Sequence, residues 1–258
     1  MPFDLETFLA DLSVLAAAGP AAETLPYGPG PEQVVDLVLP AGEGPHPVAL
    51  LVHGGFWRAR FDRSTTAALA VDLARRGVAA ANVEYRRVGN GGGIPQTLED
   101  VEAAAGAVAR FGAALDPARV VAVGHSAGGH LALWLAGTGR VRAAVSLAGV
   151  CDLAGAASEG LGDGAAVELA RGLPAERPEA YRLADPLGRL PTGVPQLLVH
   201  GEADDRVPVE QSRRYARAAA AAGDRCELLE LPGVGHFELI DPRDASWRRV
   251  AERLPGLL

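Results

Sequence analysis

Apolar residues fall along this chain in short unbroken runs, separated by longer stretches with helical spacing. Val48-Ala49-Leu50-Leu51-Val52, Val120-Val121-Ala122-Val123 and Leu197-Leu198-Val199 carry no charged position, which suits central strands of a parallel sheet covered on both faces. Further strands are predicted over 34–39, 78–85, 141–147 and 227–231. Helical spacing predicts helices over 3–18, 64–76, 97–111, 130–136, 209–222 and 247–254. The first has Leu5, Phe8, Leu9, Leu12 and Leu15 on one stripe, with Asp4 and Glu6 where a helix dipole favours acids; it reads as a packing or lid helix. Residues 26–31 form a turn-rich connector, and 41–47 a hairpin-like loop.

Strands and helices thus alternate along nearly the whole chain, as in an α/β fold with a mostly parallel sheet and helices on both faces. At 258 residues one domain, 1–258, is expected. The alternation pauses over 151–191, a stretch too long for an ordinary connection, and a small helical cap over a cleft is expected there. Asp152, Asp163 and Asp185 within it read as solvated or helix-capping acids.

The apolar run at 120–123 leads directly into Gly124-His125-Ser126-Ala127-Gly128 and then a helix. Gly-x-Ser-x-Gly between a strand and a helix is the sequence form of a nucleophile elbow, in which glycines on either side let neighbouring backbones pass a serine on a strained turn. Ser126 is the expected nucleophile. The run at 48–52 ends in His53-Gly54-Gly55-Phe56-Trp57, where a glycine-rich turn can aim N–H groups at a developing oxyanion. Gly55 and Phe56, with Ala127 after the serine, are the expected donors. A serine hydroxyl needs a base, and the base needs an acid to orient it. Asp204 and Asp205 follow the strand at 195–201 and His236 follows the last strand, giving the order Ser…Asp…His.

These four segments, with Val207-Pro208 after the acid, resemble the α/β-hydrolase superfamily, and most closely its small carboxylesterases and arylformamidases. The resemblance covers about 34–254. It implies an α/β-hydrolase fold and a cofactor-independent serine hydrolase with Ser126, His236 and Asp204 as catalytic residues. Asp204 is preferred to Asp205 because it stands three residues before Val-Pro. Phe56, Trp57 and His125 are expected in the substrate pocket, which suggests short acyl groups on esters, with aryl formamides as the alternative substrate. A prolyl-oligopeptidase-type peptidase is less favoured, since only about 30 residues precede Val34 and such enzymes usually carry a large propeller there. A non-catalytic ligand-binding relative would normally have lost the serine or histidine.

Composition narrows the rest. A net charge of −8 offers no basic field for nucleic acid or an anionic membrane surface. All 24 basic residues are arginines, so lysine-dependent phosphate loops, Schiff bases and Ser-Lys dyads are excluded. Cys151 and Cys226 are expected as free thiols. No metal or cofactor is expected: His125 and His130 stand about 140° apart on a helix and cannot share an ion on one face. The segment 86–95, with Gly91-Gly92-Gly93, lacks the last glycine of a dinucleotide fingerprint and reads as a flexible surface loop. Without a basic leader or a membrane-length apolar run, a cytoplasmic location is expected.

Overall fold

An unbroken apolar strand has no face to offer water, so the order of strands follows from which runs are apolar throughout. The computed structural model describes residues 3–258. In chain order these form α1 (Leu5–Ala17), β1 (Glu23–Pro26), β2 (Val34–Val38), β3 (His46–Val52), α2 (Ala67–Arg75), β4 (Ala79–Val83), α3 (Gln96–Ala107), β5 (Leu115–His125), α4 (Ala127–Ala136), β6 (Ala143–Leu147), α5 (Leu153–Ser158), α6 (Leu161–Ala170), α7 (Pro178–Ala184), β7 (Gln196–Gly201), α8 (Glu210–Ala221), β8 (Cys226–Leu231) and α9 (Ala245–Ala251). One sheet takes all the strands in the order β1-β2-β4-β3-β5-β6-β7-β8. The pairs β1·β2 and β2·β4 are antiparallel and the rest parallel. The continuously apolar β3 and the apolar stretch of β5 occupy the middle.

Alternate residues of these strands feed two cores. Leu50, Val52, Val120 and Ala122 pack with Leu98 and Val101 of α3 and Leu131 and Leu135 of α4 on one face. On the other, Ala49, Leu51, Val121 and Val123 meet Leu12 of α1, Leu69 and Leu73 of α2 and Trp247 of α9. Short helices α5 to α7 fill the expected cap, where Asp152 caps α5 through the Gly155 N–H and the buried Asp185 accepts the Leu153, Ala154 and Leu187 N–H groups. The parallel order puts the residues that follow β3, β5, β7 and β8 at one edge, the usual place for a ligand crevice.

Several local expectations change. Residues 41–47 make no hairpin, because β4 separates β2 from β3 and His46 and Pro47 already belong to β3. Strand β1 carries no apolar alternation and is mostly exposed, so the pattern could not announce it. The glycine segment is not a mobile surface loop: Gly92, Gly93 and Ile94 are buried, with the Ile94 N–H donating to the Leu169 carbonyl at 3.1 Å.

Two glycines allow the central crossing. A Cβ on Gly124 would lie 1.9 Å from the Gly128 carbonyl oxygen, and one on Gly128 would lie 1.9 Å from the Val52 carbonyl oxygen. We expect Gly128→Ala to destabilise the fold by about 4 kcal/mol or prevent folding, since rigid backbone must move. Gly188→Ala, with nothing within 4 Å of the added methyl, should change urea-derived stability by less than about 0.5 kcal/mol. Equal stability of the two variants would contradict this account of the crossing.

Candidate active site

Ser126 stands between β5 and α4 with φ 56° and ψ −118°, a conformation that non-glycine residues hold only when their surroundings impose it. The restraints are visible: its N–H donates to the Leu147 carbonyl at 2.8 Å, and its carbonyl accepts from the His130 and Val150 N–H groups. Its side chain faces a cleft of about 340 Å³, shared with Gly54, Gly55, Phe56, His125 and His236.

His236, just beyond β8, has Nδ1 2.7 Å from Asp204 Oδ2. The other Asp204 oxygen accepts the Arg206 and Val207 N–H groups, each at 2.8 Å. Burial alone would push the Asp204 carboxyl up, but hydrogen bonds from His200 and His236 and the His236 charge hold it well below the ordinary carboxylate range. Asp205 points to solvent and, among the described residues, pairs only with Arg206, at 3.3 Å. His200 lies behind the acid: its Nε2 is 2.9 Å from the Val207 carbonyl and 3.3 Å from Asp204 Oδ2, and its Nδ1 is 2.7 Å from the Ser212 hydroxyl. The carbonyl can only accept, so Nε2 carries a hydrogen. No hydrogen bond joins Ser126 Oγ to His236 among the described residues, an opening common before substrate binds.

The turn after β3 shows where its N–H groups point. The His53 carbonyl accepts from the Tyr85 hydroxyl at 2.9 Å, the Gly54 carbonyl from His53 Nδ1 at 2.7 Å, and the Gly55 carbonyl from the Arg58 N–H at 3.1 Å. These peptides are trans, so C=O and N–H lie on opposite sides. With the His53 and Gly54 carbonyls turned toward buried rings, the Gly54 and Gly55 N–H groups are turned away from those rings, and the Gly54, Gly55 and Phe56 N–H groups bond to no other group among the described residues. Ala127 opens α4, where the first N–H groups have no partner within the helix.

Phe56 and Trp57 have φ 52° and 56°, and this double left-handed turn sends their rings apart. Phe56 lines the cleft and touches the cap at Gly162. Trp57 does not line the cleft, contrary to expectation: it is 1% exposed, with its ring edge-on to His130 at 5.1 Å. An indole at this turn finds more apolar surface in the core than at the mouth of the cleft.

A sequence profile of the prolyl oligopeptidase family matches residues 67–254. The chain belongs to that family. As a prolyl oligopeptidase family member it is 26% identical over 243 residues to isoprenylcysteine alpha-carbonyl methylesterase of Arabidopsis thaliana, covering 83% of this chain and 56% of the plant protein. The chain thus spans about half the length of that curated relative. Among solved structures, a truncated carbohydrate esterase from gut microbiota superposes with a TM-score of 0.80 at 21% identity, over 93% of this chain and 99% of that one. A thermophilic esterase of Thermogutta terrifontis gives 0.76 at 25% identity, over 92% and 91%; its butyrate-bound form gives 0.73. The fold is that of the α/β-hydrolases. None of these three relatives is described as an arylformamidase.

In this family member several residues of the site lay beyond the reach of sequence reasoning. Leu5 and Leu9 of α1 line the cleft, as do Arg58, Arg60 and Arg206. Phe3 stacks on Phe237 at 5.1 Å, next to His236. The apolar stripe of α1 was legible, but not the surface it covers. His125, expected in the pocket, does line it, and it also braces the neighbouring histidine: its Nε2 donates to the His236 carbonyl at 2.9 Å. Burial, aided by the charge of His236, pulls His125 down to about 3, and burial pulls His130 down to about 4.

Those two shifts fix the sign of a pH effect. Below pH 6.5 the unfolded chain takes up protons that the folded one refuses, so this stability is present above 6.5 and is lost as the pH falls toward 4. We expect urea-derived stability to fall by about 2 kcal/mol from pH 6 to pH 5, and His130→Leu to remove about half of that slope. A flat profile over this interval would show that the two rings are not held neutral.

Proposed function

We propose that this chain is a serine esterase that cleaves short-acyl carboxylic esters through an acyl-enzyme. The observation that carries the reading is the 2.7 Å contact of His236 with Asp204, at a cleft that also holds the strained Ser126. Ser126 Oγ attacks the ester carbonyl while His236 Nε2 takes its proton. Asp204, on Nδ1, keeps the other ring nitrogen free to accept and stabilises the imidazolium that forms. The carbonyl oxygen becomes an oxyanion facing the Gly55, Phe56 and Ala127 N–H groups. Collapse breaks the bond to the alcohol, which leaves with the His236 proton. Water then attacks the acyl-serine, giving its proton to His236 and releasing the acid and free Ser126 as that proton returns.

Short acyl groups are favoured because the Phe56 ring, held between the cleft and Gly162 of the cap, limits the space beside the oxyanion donors. The butyrate bound to the Thermogutta terrifontis esterase, at 25% identity, supports the same class. An aryl formamide would fit the same geometry, but the relatives support the ester.

A fluorophosphonate should label the wild type and not Ser126→Ala, whose turnover falls by at least about 10⁴-fold at nearly unchanged stability. Asp204→Asn should lose about 10⁴-fold in kcat while Asp205→Asn stays near wild type. Among p-nitrophenyl esters, acetyl and butyryl should exceed decanoyl in kcat/KM. An unlabelled wild type would defeat the hydrolase reading, a decanoyl optimum the short-acyl reading, and N-formylkynurenine turnover above that of acetyl esters the preference for esters.

A further inference from the structure

His53 is fully buried, and both its ring nitrogens face oxygen atoms of other groups. Nδ1 lies 2.7 Å from the Gly54 carbonyl and Nε2 lies 3.1 Å from Glu84 Oε1. A carbonyl only accepts, so Nδ1 carries a hydrogen. The proton between Nε2 and Glu84 is then located by what else touches the carboxylate. Glu84 Oε1 also accepts the Tyr85 N–H at 3.0 Å and lies 2.9 Å from Arg87, while Oε2 accepts the Arg63 N–H at 3.2 Å and lies 3.5 Å from the Arg63 guanidinium. An oxygen already facing two such donors, beside two guanidiniums, holds a negative charge.

Burial would push the Glu84 carboxyl up, yet the His53 contact and Arg87 leave it below its ordinary range. Acids outnumber arginines around it: Arg63 also pairs with Asp36 and Arg87 with Glu32, and Asp62 stands near His53, so with Glu84 four carboxylates face two guanidiniums, an excess that favours a third cation. The His53 ring lies face to face with Tyr85, 4.5 Å between centroids and 20° between planes, a setting that favours a cation.

We infer that His53 is held as an imidazolium by Glu84 and polarises the Gly54–Gly55 peptide, whose N–H is an oxyanion donor. The inference rests on the serine-esterase reading for its consequence and on geometry for its premise. The carbonyl that accepts the Nδ1 hydrogen belongs to the same peptide unit as the Gly55 N–H. A positive charge at the carbonyl end draws electron density through that unit and strengthens the N–H as a donor, as in any polarised hydrogen-bond chain. His53 is therefore a positioning and polarising residue that need not touch substrate.

The test uses Glu84→Gln, whose amide can donate to a neutral Nε2 while Nδ1 still reaches Gly54. Nitrogen-15 NMR of the wild type at pH 8 should show both His53 nitrogens protonated, and one bare nitrogen in the variant. Steady-state ester hydrolysis by the variant should show kcat lowered about ten-fold at unchanged KM, because a donor is weakened in the transition state and not removed. Phosphonate labelling should slow in parallel. A neutral His53 in the wild type at pH 8 overturns the inference, even if Glu84→Gln fails to fold and whether or not esters are cleaved. A charged His53 with wild-type kcat in Glu84→Gln overturns the polarising role. A wild type inert toward esters and phosphonate overturns the hydrolase reading, and with it that role, while the NMR signal still reports the charge.

Discussion

The first turn of α4 rests on the end of β3 at backbone contact. A Cβ at Gly128 would meet the carbonyl oxygens of both Val52 and His53, at 1.9 and 2.6 Å, so no side chain can come between them. This contact sets the distance between the two halves of the proposed site: the Ser126 turn and the Ala127 N–H on one side, the Gly54–Phe56 turn on the other. Two parallel neighbours in mid-sheet would otherwise send their following segments apart, each covered by its own side chains. Because the approach is made by backbone, the N–H groups proposed as donors are held by buried main chain, an arrangement that would leave little to reorganise as charge develops between them.

Around that contact, hydrogen bonds fix the orientation of the buried histidines. His125 gives its Nε2 hydrogen to the His236 carbonyl, and His200 stands between Val207, Ser212 and Asp204. His53 faces a carbonyl and a carboxylate. Each ring braces a loop that follows a strand, so the segments after β3, β7 and β8 are tied to their neighbours by buried side chains. The cap meets this frame through a turn of its own backbone. There Gly162, Asp163 and Gly164 run through left-handed backbone angles against Phe56 and the Arg58 side chain.

Continuous apolar runs made the central strands and the α/β class legible, and the glycine spacing around Ser126 made the elbow legible, because both leave a local signature. The order of the last three segments was enough to place Asp204 and His236 after adjacent strands. What stayed hidden depends on long-range packing. Strand β1 is polar and pairs only at an edge. The inward turn of Trp57 arises from two left-handed residues in succession, which no propensity announces. Glu84, the residue that faces His53, sits 31 positions away in an apolar strand end, where an acid reads as an oddity and not as half of a pair. Likewise, the stripe of α1 announced a packing helix without telling that Leu5 and Leu9 wall the cleft.

The central claim is that Ser126 carries the acyl group during turnover. Rapid quenching of the protein with excess acetyl ester, followed by peptide mapping, reads this directly. The account predicts an acetyl group on the peptide containing Ser126, on that residue alone and lost again as substrate is exhausted; ester turnover with the acetyl group on another side chain would contradict it.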